Sequence, residues 1–170
     1  MKKLVLVAGT MGVGKSSVCR ELLSRLTPGA YLDGDWCWNI NPFSVTEENK
    51  RMVQDNIRHV LREYLTNSGL EYVIFCWVMH EQQIIDDVLE GLSGLEYEAH
   101  VFALTASEAV LKARLGADVA AGMRQADVIE RSISRLPLYE KLNACLIDTG
   151  TLSPGEVAEF IAMKVRGGGI

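Results

Sequence analysis

The segment Gly9-Thr10-Met11-Gly12-Val13-Gly14-Lys15-Ser16 constrains this chain more than any other feature. It matches G-x-x-x-x-G-K-[ST], follows the apolar run Lys3–Ala8, and precedes Lys15–Leu26, where Val18, Leu22, Leu23 and Leu26 recur at helical spacing. Glycines let the backbone curl so that successive N–H groups point inward at a phosphate, and the following helix adds its positive end. Lys15 is placed to reach the β- and γ-phosphates, and the Ser16 hydroxyl to hold Mg²⁺. A chance match in a Gly-rich turn is the bland explanation, and the strand–loop–helix context sets it aside. The expected nucleotide contacts are therefore Gly9 through Ser16, together with Ser17.

The remaining pattern alternates between short apolar runs and amphipathic stretches. Strands are expected at Ala30–Asp33, Tyr72–Met79, Ala99–Leu104 and Cys145–Asp148, in addition to Lys3–Ala8. Helices are expected at Glu47–Thr66, Glu81–Leu92, after Thr105 (capped by it, with Glu108 at capping-box spacing), Ala126–Ser134 and Ser153–Val165. Alternation throughout predicts one α/β domain over 1–166, a three-layer αβα P-loop NTPase fold with a five-stranded, mostly parallel sheet. A flexible tail is expected at 167–170. Two segments interrupt the alternation, a substrate loop at 34–46 and a short lid at 116–125.

Composition narrows the classes. With 48% hydrophobic residues and a net charge of −5 in 170 residues, the chain is neither disordered nor suited to nonspecific nucleic-acid binding. No apolar run approaches a membrane span of ~18 residues. Met1-Lys2-Lys3 leads into an apolar stretch, but Gly12, Gly14 and Lys15 interrupt it where a signal peptide would need a cleavage segment. The four cysteines, Cys19, Cys37, Cys76 and Cys145, show no C-x-x-C spacing, which fits free thiols in a cytoplasmic protein.

Around the phosphate loop, Asp33-Gly34-Asp35 supplies carboxylates that could orient a hydroxyl, take its proton or hold Mg²⁺. Turn chemistry is the alternative reading of the same triplet. Tyr72–Met79 carries no acid to support a metal, which leaves Asp33 as the better candidate for metal ligand or base beside Ser16, and Asp35 as the better substrate contact. Arg114, Arg124, Arg131 and Arg135 surround the second irregular segment; at least one is expected on a solvated helix face. Trp36 and Trp38 lie in a polar loop and are expected to line a pocket, Trp77 to pack in the core, and His80 to sit at a strand end.

The chain resembles the P-loop small-molecule kinases, a group that includes shikimate kinases, gluconate kinases and antibiotic phosphotransferases. The resemblance rests on Gly9–Ser16, on Leu32-Asp33-Gly34-Asp35, and on Arg135-Leu136-Pro137-Leu138-Tyr139, similar to an R-x-P-L-Y stretch. It implies that Arg135 contacts substrate, that Arg114 opens the lid and lies against adenine, and that Arg124 approaches the phosphates. It further implies that Asp148-Thr149-Gly150 borders the adenine, making Thr149 a nucleotide contact. The expectation is an ATP- and Mg²⁺-dependent phosphotransferase acting on a hydroxyl, with Lys15, Asp33, Asp35, Arg124 and Arg135 catalytic and Ser16 and Asp33 at the metal. The acceptor would be a small molecule with an apolar or aromatic face. The alternative is a nucleotide-binding resistance or switch protein with little phosphotransfer. The acceptor half matches no subfamily: Asn49-Lys50-Arg51-Met52-Val53 stands where shikimate kinases have F-R-x-x-E, and Trp77-Val78-Met79 replaces their glycine run.

Overall fold

The computed structural model describes residues 1–167. Strand β1 (Lys2–Gly9) is central because its middle residues, Leu4 to Ala8, carry no polar side chain and are fully buried. Strand β3 (Tyr72–Trp77) pairs with it on one side and β4 (Tyr97–Thr105) on the other. The outer strands are β2 (Gly29–Asp33) and β5 (Cys145–Asp148), giving the order β2-β3-β1-β4-β5. Every pairing is parallel, so the sheet is wholly rather than mostly so.

Side-chain alternation along each strand divides the core in two. Val5, Val7, Ile74 and Phe102 face α1 (Lys15–Arg25) and α6 (Pro154–Gly167). Leu4, Leu6, Val73 and Phe75 face α2 (Glu47–Thr66) and α3 (Gln82–Glu90). The stripe Val53, Ile57, Leu61 and Leu65 is buried along the 20-residue α2. This is the three-layer arrangement expected.

Several boundaries differ from the sequence reading. Helix α4 (Glu108–Ala120) is capped by Ser107, whose hydroxyl accepts from the Val110 N–H, and not by Thr105, which still belongs to β4. Because α4 continues to Ala120, the irregular segment spans only about 121–126, where a lid was expected at 116–125. Helix α5 (Asp127–Tyr139) extends past Ser134; Pro137 lies in its last turn. Gly167 closes α6 and is not part of a tail; the rest of the expected tail, 168–170, lies outside the described residues. The Ser153–Glu156 capping box forms: the Glu156 carboxylate accepts from the Ser153 N–H at 2.8 Å, and the Ser153 hydroxyl accepts from the Glu156 N–H at 3.3 Å.

In this parallel sheet the carboxyl ends of the strands share one edge. Gly9, Asp33, Trp77, Thr105 and Asp148 end their strands there, so the phosphate loop, the segment after β2 and Thr149-Gly150 open onto that edge. Gly34 has a steric reason beyond turn preference. A Cβ on it would lie 2.6 Å from Trp77 Cγ, so only glycine lets the chain leave β2 flat against the indole. Gly34→Ala must push Trp77 or the loop aside, and is expected to cost about 1–3 kcal/mol. Thermal unfolding should show this as a Tm lower by roughly 2–10 °C; an unchanged Tm would mean that the indole moves freely.

Candidate functional site

The phosphate loop follows from its backbone. Gly12 and Gly14 hold φ of 81° and 103°, in the left-handed region where side chains are strained. Gly12 is also pressed by α4, since a Cβ there would lie 2.7 Å from the Leu115 side chain. Lys15 Nζ donates to the Thr10 carbonyl at 3.0 Å, which folds the ammonium over the loop. Desolvation lowers the Lys15 pKa from its ordinary value, while acidic neighbours, including Asp35 and Asp33, oppose that shift.

The opposite wall is sewn to the loop by Arg114 and Thr149. Arg114 donates to the Val13 carbonyl at 3.3 Å, to Thr149 Oγ1 at 3.1 Å and to the Thr149 carbonyl at 2.8 Å. The buried Thr149 hydroxyl lies 3.0 Å from the Val13 carbonyl and 3.1 Å from that of Thr105. Arg124 pairs with Asp118 at 3.0 Å. These groups and the loop enclose a cleft of about 470 Å³, with Leu152 and Val157 as its apolar wall.

Asp33 is 6% exposed and accepts three hydrogen bonds, from Ser16 Oγ at 2.7 Å, the Tyr31 hydroxyl at 3.0 Å and the Asp35 N–H at 3.1 Å. The bond to Asp35 caps a short 3-10 turn, Gly34–Trp38. Ser16 and Asp33 thus present adjoining hydroxyl and carboxylate oxygens at the loop, a donor set that fits a hard divalent cation such as Mg²⁺. Among the described residues no cluster of three or more His, Cys, Asp or Glu encloses a metal site. An ion held by one or two protein oxygens plus phosphates does not need one.

Beyond this cleft lies a second pocket of about 800 Å³, lined by Trp36, Trp38, Phe43, Arg131 and Arg135. Trp36 and Phe43 are 55% and 67% exposed, which leaves large apolar surfaces open to a ligand. Asp35 and Met11 line both the cleft and this pocket. Burial, and secondarily the Asp33 carboxylate, push the Asp35 carboxyl above its ordinary value; Lys15, the Trp77 side chain and Arg124 pull the other way. Asp35 as a whole residue is exposed at the cleft mouth, so water weakens both the desolvation and the repulsion, and the upward direction is kept without a magnitude.

Lys15, Ser16, Arg114, Arg124 and Thr149 thus come together with Gly12 and Gly14 in one cleft, whereas Gly9 and Thr10, also expected as nucleotide contacts, are buried and do not line it, the Thr10 hydroxyl donating to the Ser132 carbonyl. Arg135 does not join them. It lines the second pocket because α5 is continuous through Tyr139 and carries it beyond the irregular segment at 121–126. Trp77 packs against the core, as expected, but also lines a third pocket with His80. Tyr31 and Asp118 were not singled out by sequence. Strand alternation places Tyr31 on the same face as Asp33, and Asp118 stands one helical turn from Arg114, so each was findable once its neighbour was chosen.

The fold and the phosphate loop define a P-loop protein on the plan of the small-molecule kinases. The chain belongs to the AAA domain family, whose AAA_18 model matches residues 5–133. It is similar to the Deinococcus radiodurans tunicamycin resistance protein at 23% identity and a TM-score of 0.66, over 97% of this chain and 96% of that one. It is similar to a gluconokinase from Sinorhizobium meliloti 1021 at 17% identity and a TM-score of 0.66, over 92% and 87%. It is also similar to shikimate kinase from Acinetobacter baumannii at 18% identity and a TM-score of 0.60, over 98% and 94%. At these identities the likeness establishes the fold. No curated protein matches the chain in sequence.

The raised Asp35 pKa has a consequence for stability. A carboxyl whose folded pKa lies above its ordinary 3.8 destabilises the fold when ionised, so its cost is absent below that value and grows as pH rises through the folded pKa. Asp35→Asn removes the charge. We expect it to match or exceed the parent Tm at pH 7, with the difference shrinking toward pH ~4. A variant less stable at pH 7 than at pH ~4, relative to the parent, would reverse the assigned sign.

Proposed function

We propose that this protein is an ATP- and Mg²⁺-dependent phosphotransferase that moves the γ-phosphate to a hydroxyl of a small molecule. The observation that carries this reading is the position of Asp35, which lines both the phosphate cleft and the aromatic pocket. A nucleotide and an acceptor held in the two compartments would meet at that carboxylate.

In this mechanism the loop amides and Lys15 hold the phosphates, while Arg114 and Thr149 border the base of the nucleotide. Ser16 and Asp33 would hold Mg²⁺, which when bound neutralises charge on the β- and γ-phosphates. Asp35 accepts the acceptor's hydroxyl proton as its oxygen bonds to the γ-phosphorus and ADP leaves. A carboxyl raised above the ordinary aspartate range is a stronger base than a free aspartate, which suits this role. Asp33 is poorly placed for it, being buried and already accepting three hydrogen bonds. Arg124, one turn beyond the nucleotide-bordering helix, is available to meet developing charge, with Asp118 as its resting partner.

The test is ADP release, with ATP and Mg²⁺, across a panel of hydroxylated small molecules. Acceptor-dependent release is expected for at least one class, with kcat falling about 10²–10⁴-fold in Asp35→Asn while ATP binding survives. The rate should fall as pH drops through the Asp35 pKa, above 3.8, because the base must be ionised. Full activity in Asp35→Asn would remove the assigned base. Release of ADP that no acceptor stimulates would favour a nucleotide-binding switch.

A further inference from the structure

Thr10 is fully buried and lines neither the cleft nor the aromatic pocket, although it belongs to the phosphate loop. Its polar groups face two different elements. The carbonyl accepts from Lys15 Nζ at 3.0 Å, and the hydroxyl donates to the Ser132 carbonyl at 3.1 Å, across 122 positions of chain. The first bond engages the ammonium that would hold phosphate. The second grips the middle of α5, where Ser132 is also fully buried and stands between Arg131 and Arg135, both of which line the aromatic pocket. Among the described residues, no other hydrogen bond joins the phosphate loop to α5.

Two features of α5 make that contact a joint and not a plain anchor. Pro137 lies inside the helix and has no N–H, so the Ile133 carbonyl lacks its donor from the next turn and the helix can bend there. Beyond the proline, the Tyr139 hydroxyl secures the far end by donating to the Val78 carbonyl at 2.7 Å. The part that carries Arg131 and Arg135 therefore lies between a hinge at Pro137 and the irregular segment at 121–126, with Thr10 setting its place against the loop. The Ser132 hydroxyl is moreover buried with no partner. A buried orphan hydroxyl is costly, and here it offers the Thr10 hydroxyl a second pairing on the same residue.

We propose that Thr10 is a positioning residue that relays occupancy of the phosphate cleft to the arginines of the aromatic pocket. When Lys15 turns to the β- and γ-phosphates, the Thr10 carbonyl gives up its donor and the peptide reorients. The Thr10 hydroxyl then exchanges the Ser132 carbonyl for the orphan Ser132 hydroxyl, and α5 pivots at Pro137. Lys15 thus has two discrete arrangements that both compartments bias, which is what coupling between sites requires. The assignment rests on the reading of the cleft as the nucleotide site and of the aromatic pocket as the acceptor site. It adds the residue through which filling the first prepares the second.

The experiment follows amide hydrogen exchange over residues 127–136 in the whole protein, with and without saturating Mg²⁺ and the nonhydrolysable ATP analogue AMP-PNP. In the parent, the analogue should slow exchange across this stretch about threefold or more. Thr10→Val keeps the shape of the side chain and removes its hydroxyl. By calorimetry it should bind the analogue within about threefold of the parent affinity, because the side chain lies outside the cleft, yet the α5 response should vanish. Thr10→Ser should restore it. A hydroxyl with a merely structural role would speed α5 exchange equally with and without the analogue, leaving the response intact in Thr10→Val, and that result overturns the proposal. Where Thr10→Val does not fold, Ser132→Ala removes the second pairing and should cut the response about twofold or more; an undiminished response overturns the relay. No binding of the analogue to the parent would sink the nucleotide reading and the relay with it, whereas binding without any α5 response would sink the relay alone.

Discussion

The buried carboxylate of Asp33 ties together the parts on which the site depends. Through three hydrogen bonds it links strand β2, the start of α1 and the turn that follows. Each partner donates to its oxygens, which supplies the hydrogen bonds that a carboxyl group loses when withdrawn from water. The Tyr31 hydroxyl, 3.2 Å from Cys76 Sγ, extends the connection to β3. Because Ser16 and the Asp35 N–H are held by the same carboxylate, the phosphate loop and the turn after β2 are positioned relative to one another rather than independently.

From that anchor the charges divide by compartment. Lys15, Arg114 and Arg124 border the cleft at the phosphate loop, whereas Arg131 and Arg135 line the second, aromatic pocket. Asp35 stands where the two meet. Net charge conveys none of this: a chain of net charge −5 concentrates cations along one sheet edge. The apolar surfaces divide similarly, with Leu152 and Val157 in the cleft and exposed aromatics in the second pocket. Burial of an acceptor against those aromatics would recover the hydrophobic stabilisation that folding leaves unused.

The long-periodicity elements were legible in the chain because their signals are local. Glu47–Thr66 and Cys145–Asp148 form over the same residues that the apolar spacing marks. Element ends were less legible where two local signals competed. Thr105 and Ser107 both offer a capping hydroxyl, and the ladder with β5 decides between them by holding Thr105 in the sheet against Asp148. Helix α5 outlasts its apolar pattern because the buried Tyr139 secures its end, with a hydroxyl that reaches Val78.

The sequence by itself determined the phosphate loop, the alternating αβ plan and the residues available at the sheet edge, since each depends on neighbours within a few positions. Only the tertiary structure decided which of those residues share a space. Thr10 and Ser132 meet across 122 positions, and no spacing rule links them. The same holds for the two aspartates. Sequence favoured Asp33 as metal ligand or base and Asp35 as substrate contact, and the strand end separates them differently, turning Asp33 inward to three donors and leaving Asp35 at the cleft mouth. The proposed function rests on that separation, because a buried carboxylate that already accepts three hydrogen bonds organises the site, whereas the one at the cleft mouth is open to a ligand's proton.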